Sequence, residues 1–472
     1  MARGNWSETN KPEIPGFYNR MQQVAQETSD SIQGILAMPV KSNWGPANQV
    51  FKVSGLTSLK NNFGTSMDFT AYKLGRIALL GEPEALMLYR LADSNAKTAT
   101  LTLKNEASTP QDVIKLETLY PTDRDFKVTV ASNVVNPSNK NISFYEGTTL
   151  LTKIENITGT LEEIVALINK SSMNKYAKAT LITGADGTLA NVSSVGFTGG
   201  NNGISAITNE HYLNSLEEFK RQQIDGFVLD GVKDPALISS VKEWAETCKE
   251  EGLDVLVFGA TNEQSLDSAN SVSKNYNSTL MHNGYAEKLI YDSVEYTIAE
   301  AMVYVAARAL STSLKESICN ATTIFEDVQP RLTRSEITSA VEAGTIVFTV
   351  SNGNVVIVDD VNTYKNYEND NDKVLGNIRA IRFINTVNQS TSLDGEENYV
   401  GKTSSDDTGH TLILNGIKNF FDVWKKLGII SSYTVETDSE LQATAESDEF
   451  FWKWDADYVN VTKRIYGTGN LK

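Results

Sequence analysis

"GFVLDGVKDPALISSVKEWAETCKEEGLDVLVFGA", residues Gly226 to Ala260, decides the fold. "GFVLDG" (226–231) is a short apolar run of the kind that makes a buried strand. Asp234-Pro235 then starts a helix: the aspartate caps the free N–H groups, and the proline is already set at helical φ. Gly252 stops that helix. "LDVLVFGA" (253–260) is a second buried strand. Strand, helix and strand at this spacing predict a parallel, doubly wound sheet with helices on its faces.

The pattern extends in both directions. "LNSLEEFKRQQ" (213–223) reads as a preceding helix and "NSTLMHNGY" (277–285) as a third strand. A long helix is expected from Ala286 to Leu310, carrying "AEAMVYVAARAL". Together these outline an α/β domain over residues 200–343. Upstream, "GILAMPV" (34–40), the turn at Gly45-Pro46, "VFKV", a helix over 69–80 and "ALMLYRL" (85–91) make a folded segment, 31–93. Between the two lie "TATLTL", "VIKLETLY", "FKVTVAS", "ISFYEGTTLL", "YAKATLIT" and "VSSVGF", an inserted small, mostly β domain over 94–199. Its one helix is marked by the capping box Thr160–Glu163 before "LEEIVALINK". Asp186-Gly187 is a hairpin signal.

The last third reads as an α+β domain, 344–455. "GTIVFTVSNGNVVIVDDV" (344–361) is a hairpin turning at Asn352-Gly353. "NIRAIRFINTV" (377–387) fits strand or helix by period. "HTLILNGIKNFFDVWKKLG" (410–428) is an amphipathic helix with a glycine stop, followed by the strand "IISSYTV". Residues 1–30 and 456–472 read as extended amino- and carboxy-terminal arms. The fold class is therefore α/β and α+β multidomain.

Composition bounds the function. The chain has 472 residues, enough for about two to four domains. A formal net charge of -17 repels phosphate backbones, and the densest basic clusters are the pairs Lys425-Lys426 and Lys463-Arg464, so no nucleic acid partner is expected. No apolar window is long enough to span a bilayer, and residues 1–30 carry no secretory-type apolar run, so cytoplasmic synthesis is expected. Two cysteines, Cys248 and Cys319, both in helical-looking segments, make no disulfide framework.

Catalytic patterns are missing. His211, His282 and His410 are widely separated and stand in no metal-binding motif. No GxSxG elbow occurs. "YENDND" (367–372) lacks the glycine and terminal glutamate of a calcium loop. "GFTGGNNG" (196–203) has neither the lysine of a phosphate-binding loop nor dinucleotide spacing. Its glycines, Gly199, Gly200 and Gly203, read as a flexible joint where the inserted domain returns to the α/β domain. An enzyme would place its ligand at the carboxyl ends of the strands, near Asp230, Gly231 and Gly259. No acid, base and nucleophile set converges there. No metal and no cofactor is expected.

The order of pieces over the chain resembles the sheath proteins of contractile phage tails and of R-type bacteriocin and prophage tail-like particles. The resemblance rests on "PGFYNRM" (15–21), "GILAMPVKSNWGPANQVFKVS" (34–54) and "NNFG" (61–64) near the start. It continues through "GGNNG" (199–203) with the "GFVLDG"–helix–"LDVLVFGA" run, and ends in "EAGTIVFTVSNGNVVIVDDVNTY" (342–364), "NIRAIRFINTV" and "NYVGKTSSDDTGH" (398–410). It implies a non-enzymatic subunit that polymerises as hexameric rings stacked helically around an inner tail tube, between baseplate and tail terminator proteins. Contraction would then drive the tube through a cell envelope. It also implies arms that complete a neighbour's sheet: Phe17 and Tyr18 at one end, and Tyr458, Val459, Val461, Ile465 and Tyr466 at the other. The helix bearing Lys418, Lys425 and Lys426 is the candidate tube-facing element. The inserted domain would decorate the outside of the particle.

Overall fold

The structure, a computed structural model, describes residues 2–5, 16–19, 34–261, 265–368 and 370–471. Its centre is one eight-stranded sheet, in the order Asn354–Ile357, Thr345–Ser351, Met281–Tyr285, Leu256–Gly259, Gly226–Val228, Ile35–Val40, Ala85–Arg90, Val50–Val53. The six inner strands are parallel and each edge strand is antiparallel to its neighbour. Strands from three sequence segments, 31–93, 200–343 and 344–361, thus share one sheet. The hairpin Thr345–Ser351/Asn354–Ile357 closes it, turning at Asn352 (φ 49°) and Gly353 (φ 83°).

Helices cover both faces, which is why the inner strands are apolar throughout rather than alternating. Ile298–Ser311 crosses the strands Leu256–Gly259, Gly226–Val228, Met281–Tyr285 and Ile35–Val40, and also packs on Thr70–Leu80. Ile298, Met302, Val303 and Val305 are fully buried within it.

The inserted domain is a sandwich. One sheet holds Thr149–Ile157, Lys140–Glu146, Phe126–Ser132 and Val192–Gly196; the other holds Ala177–Leu181, Asp112–Thr118 and Thr100–Lys104. Alternate residues such as Val128 and Val130 point into a separate core with Leu103, Ile142 and Phe144. The helix Leu161–Lys170 starts at the predicted capping box, with Thr160 Oγ1 accepting from Glu163 N–H.

Three expectations change, and one helix is added. The helix expected over 286–310 is a hairpin, Lys288–Tyr291/Val294–Tyr296, followed by Ile298–Ser311; Asp292 and Ser293 turn at positive φ, and Thr297 caps the helix. Asp186-Gly187 does turn, but the flanking strands pair with Asp112–Thr118 and Phe126–Ser132 in different sheets, so it joins the two layers and makes no hairpin. Cys319 lies in a loop, its Sγ against the Val358 carbonyl at 3.4 Å. The helix Leu266–Tyr276 is unannounced in the sequence, because it buries only small or polar residues, Ala269, Asn270 and Ser273.

The carboxy-terminal part has its own core. Helices Ile378–Asp394 and Asp407–Lys426 and the hairpin Ile430–Thr437/Trp452–Tyr458 enclose Phe383, Val387, Ile417, Phe421, Trp424 and Val435. The period of 377–387 resolves to helix.

Candidate assembly surface

At the carboxyl ends of the parallel strands, where an enzyme would bind its ligand, the position of Asp230 is filled by protein. The strand order reverses between Ile35–Val40 and Gly226–Val228, and Asp230 sits at that switch point. Its carboxylate is buried and accepts from Thr70 Oγ1 at 2.7 Å and Tyr212 Oη at 2.8 Å, with Lys41 Nζ at 4.0 Å. Burial raises its pKa, opposed by Lys41 and the two hydroxyls. Gly231 (φ 85°) lies against Glu300, where an added Cβ would come within 2.8 Å of Cγ. Gly259 ends the neighbouring strand. A polar cleft with room for about 160 Å³ lies instead at the opposite, amino ends of the strands, lined by residues including Asp225, Asp254 and Gln389.

The three histidines have separate local roles. His211 Nδ1 accepts from Thr208 N–H at its helix start, His410 stacks on Phe450, and His282 stacks on Phe258 with a ring separation of 4.3 Å. Of "YENDND", Asn369 lies outside the described residues, and Asp370–Gly376 is a short 3-10 turn.

The glycine-rich joint is hydrogen-bonded on both strands of the chain. The chain leaves and re-enters the central domain as a paired stem: Asp93 N donates to Gly203 O at 2.7 Å, and Lys97 N to Asn201 O at 2.9 Å. Gly199 (φ 76°) has open space where a Cβ would stand. At Gly200 a Cβ would fall 2.1 Å from Thr122 O, and at Gly203 (φ 72°) it would fall 2.5 Å from Ala96 Cβ. Beside the stem, fully buried Arg90 donates to the carbonyls of Ser42 (2.9 Å), Gly45 (2.6 Å), Pro121 (2.8 Å) and Asn202 (2.9 Å). Two of these belong to the central domain and two to the roots of the sandwich. Burial lowers its pKa to about 10.

The carboxy-terminal part carries the unsatisfied surface. Ile430–Thr437 and Trp452–Tyr458 make a two-stranded sheet of their own. Trp452, Trp454, Ala456 and Tyr458 cover the helices, while Lys453, Asp455 and Asp457 face solvent. Among the described residues, each strand pairs only with the other, so both edges present free N–H and C=O groups. Such edges are templates for another strand.

Arginines fasten this part to the central domain. Arg382 donates to the carbonyls of Leu310 (2.7 Å) and Thr312 (2.6 Å), at the buried carboxyl end of the helix Ile298–Ser311, and Arg379 to that of Leu314 (2.5 Å), in the loop just beyond it. The Leu310 and Thr312 carbonyls have no helical partner and carry the negative end of the helix dipole. The signal was a basic pair three residues apart inside the apolar "NIRAIRFINTV". Neither arginine was singled out from the sequence, and nor was Arg90 inside "ALMLYRL".

The expected arms are placed as follows. Ala2–Asn5 and Gly16–Asn19 form a parallel two-stranded ladder; Phe17 and Tyr18 lie in the second strand, and their side chains are outside the described residues. At the other end the arm starts later than expected. Tyr458 belongs to its own subunit's hairpin, packed on Phe383 and under Arg379 at 4.7 Å. Val459 N donates to Ile429 O, and Val459 O accepts from Arg379 Nη1 at 2.9 Å. Val461 is half-buried. Lys463 Nζ reaches Asp359 Oδ1 at 2.6 Å, Asp360, and Asn377 Oδ1 at 2.8 Å. Beyond it the tail is bare, with Ile465 88% and Tyr466 89% exposed. Lys418, Lys425 and Lys426 lie along the end of the helix Asp407–Lys426, Lys418 half-buried and the other two exposed.

Comparison with known proteins agrees with this layout. Residues 92–202 match the phage tail sheath protein beta-sandwich domain, 205–363 the phage tail sheath protein central domain, and 370–472 the phage tail sheath C-terminal domain. The chain is 20% identical over 493 residues to the phage-like element PBSX protein XkdK of Bacillus subtilis (strain 168), covering 99% of each. Among solved structures it resembles the sheath tail protein of Desulfitobacterium hafniense (TM-score 0.68, 18% identity, 94% of this chain and 100% of that one). It also resembles the helical sheath of the anti-feeding prophage in its contracted state (TM-score 0.53, 10% identity, 98% and 99%).

Proposed function

The chain belongs to the phage tail sheath family, and from that premise we propose that it is the repeating subunit of a contractile sheath. Copies assemble as stacked rings around an inner tube, meet a baseplate and a terminator at the two ends, and contract to push the tube through a cell envelope. The subunit is made in the bacterial cytoplasm, works as part of a tail-like particle, and has no catalytic step. The observation that carries this reading is the pairing of opposites in one region: a two-stranded sheet with two open edges, and beside it an exposed apolar tail. Strand addition joins these between copies and yields open, head-to-tail arrays. The amino-terminal strands, with Phe17 and Tyr18, supply a second strand. Lys418, Lys425 and Lys426 face the tube.

The sandwich stands on its paired stem outside this contact region, so its removal leaves assembly intact. The hydrogen-bonded, buried state of Asp230 supports the reading without catalysis at that strand end.

Electron microscopy of the purified chain, alone and with its tube protein, tests the proposal. Regular tubular polymers are expected, and their loss on truncation before Arg464. A chain that stays monomeric in both settings, or that polymerises normally without residues 464–472, overturns it.

A further inference from the structure

Lys463 meets the Asp359–Asp360 pair at this surface. The ammonium has three protons and meets three acceptors, from Asp359, Asp360 and Asn377. Both aspartates follow the edge strand Asn354–Ile357, and Asn377 precedes the helix Ile378–Asp394, whose first N–H donates to Asp360 O. The socket therefore sits at the seam between the central and carboxy-terminal parts. The tail it holds is otherwise loose: among the described residues, 460–471 make no backbone-to-backbone hydrogen bond. A groove passes beneath the tail, lined by Ser317, Cys319, Asn320 and Val358 together with Val461 and Lys463.

Strand addition needs a continuous run of tail backbone laid along another sheet's edge. Lys463 is the last point at which the tail is held, directly before the bare segment 464–471, and its side chain is turned into its own subunit. While it is held there, the segment starts from its own subunit's surface and cannot be laid in full along the hairpin of a second copy. We infer that the Lys463–Asp359/Asp360 contact is a latch: it keeps the carboxy-terminal tail on its own subunit and must open before the tail pairs with a second copy of this chain. The inference rests on the sheath reading and adds regulation to it. A subunit that carries open edges and a free arm polymerises as soon as it is made; a latched one waits for a neighbour or a growing end to compete for the tail.

The test is the lag time of polymerisation, followed by light scattering and electron microscopy, with the rate of trypsin cleavage after Arg464, next to the held side chain, reporting the latch directly. Asp359→Asn/Asp360→Asn leaves the tail sequence untouched. It should speed tail cleavage and shorten the lag by at least about tenfold, since losing one side of a largely buried ion pair leaves the other charge unanswered. Lys463→Gln should do the same, which keeps the test open where one variant misfolds. The exchanged pair Lys463→Asp/Asp360→Lys should restore the slow start. A lag that is unchanged or longer in variants whose tails are cleaved faster overturns the latch and leaves the sheath reading standing. A wild-type chain that never polymerises, even on its tube, overturns both.

Discussion

The eight-stranded central sheet and the two-stranded carboxy-terminal one solve the same problem in opposite ways. In the central sheet, helices cover both faces, and at one edge the segment 320–323 covers Asn354–Ile357: Thr322 bridges Val356, and Asn320 N donates to Ile357 O. Its buried charges are answered too, Arg90 by four carbonyls and Asp230 by two hydroxyls. The carboxy-terminal hairpin covers one face and leaves both edges open, next to a tail with no ladder of its own. The difference teaches which region has backbone left to offer: the central sheet is covered on both faces and along the Asn354–Ile357 edge, while the carboxy-terminal sheet is paired at neither edge among the described residues.

Mutations should separate the two regions, with subunit stability as the common scale. The largest loss is expected from Arg90→Leu, which strands buried carbonyls from both domains; about 3–5 kcal/mol is the scale for breaking such a site. Urea unfolding measures it, and faster proteolysis at 92–98 and 199–206 would show the sandwich loosened on its stem. Arg90→Lys should recover little, since a point charge cannot span four carbonyls.

Acid comes next. Burial lowers the pKa of His282 from 6.5 to about 4, and its Nδ1–H donates to Val257 O at 3.0 Å. Above pH 6.5 the folded and unfolded chains are both neutral at this site. Between 6.5 and 4 only the unfolded chain takes the proton, so folding stability falls as pH falls, by roughly 3 kcal/mol across the window. Unfolding curves of wild type and His282→Gln should converge toward pH 4. Parallel curves would remove His282 as the cause.

A smaller effect is expected at the joint. Gly203→Ala combines positive φ with a close contact and should cost about 2 kcal/mol, while Gly199→Ala, with φ alone, should cost about 1 kcal/mol. Equal values would mean the joint relaxes, and the brace at Arg90 would then be weaker than its geometry implies. Smallest of all is truncation before Arg464: under about 0.5 kcal/mol of subunit stability, because the removed residues bury almost nothing. The same truncation is the one expected to abolish polymers, so the two scales move in opposite order.

Much of this was legible because it is local. The capping box at Thr160, the Asp234-Pro235 start, the Gly252 and Gly428 stops and the Asn352-Gly353 turn are set by side chains within a few residues of the backbone they act on. Asp186-Gly187 marks the limit of such signals: a turn is a property of its own residues, but the partner of each flanking strand is chosen by packing. The segment 286–296 failed for a related reason. Its apolar content suits a helix as well as a strand, and the hairpin is fixed by the antiparallel strand Asp327–Gln329, far along the chain.

By itself, then, the sequence determined the α/β alternation, the inserted β domain, most element ends, the family resemblance and the bareness of the last residues. Tertiary structure alone decided that three separated segments share one sheet, that Arg90, Arg379 and Arg382 are fasteners between domains, and that the tail is tied back at Lys463. The physical reason is the same in each case. Hydrophobic period and capping act over one or two turns of chain, whereas a buried cation is explained only by acceptors brought to it from elsewhere: 31 and 112 residues away for Arg90, and 104 for Lys463.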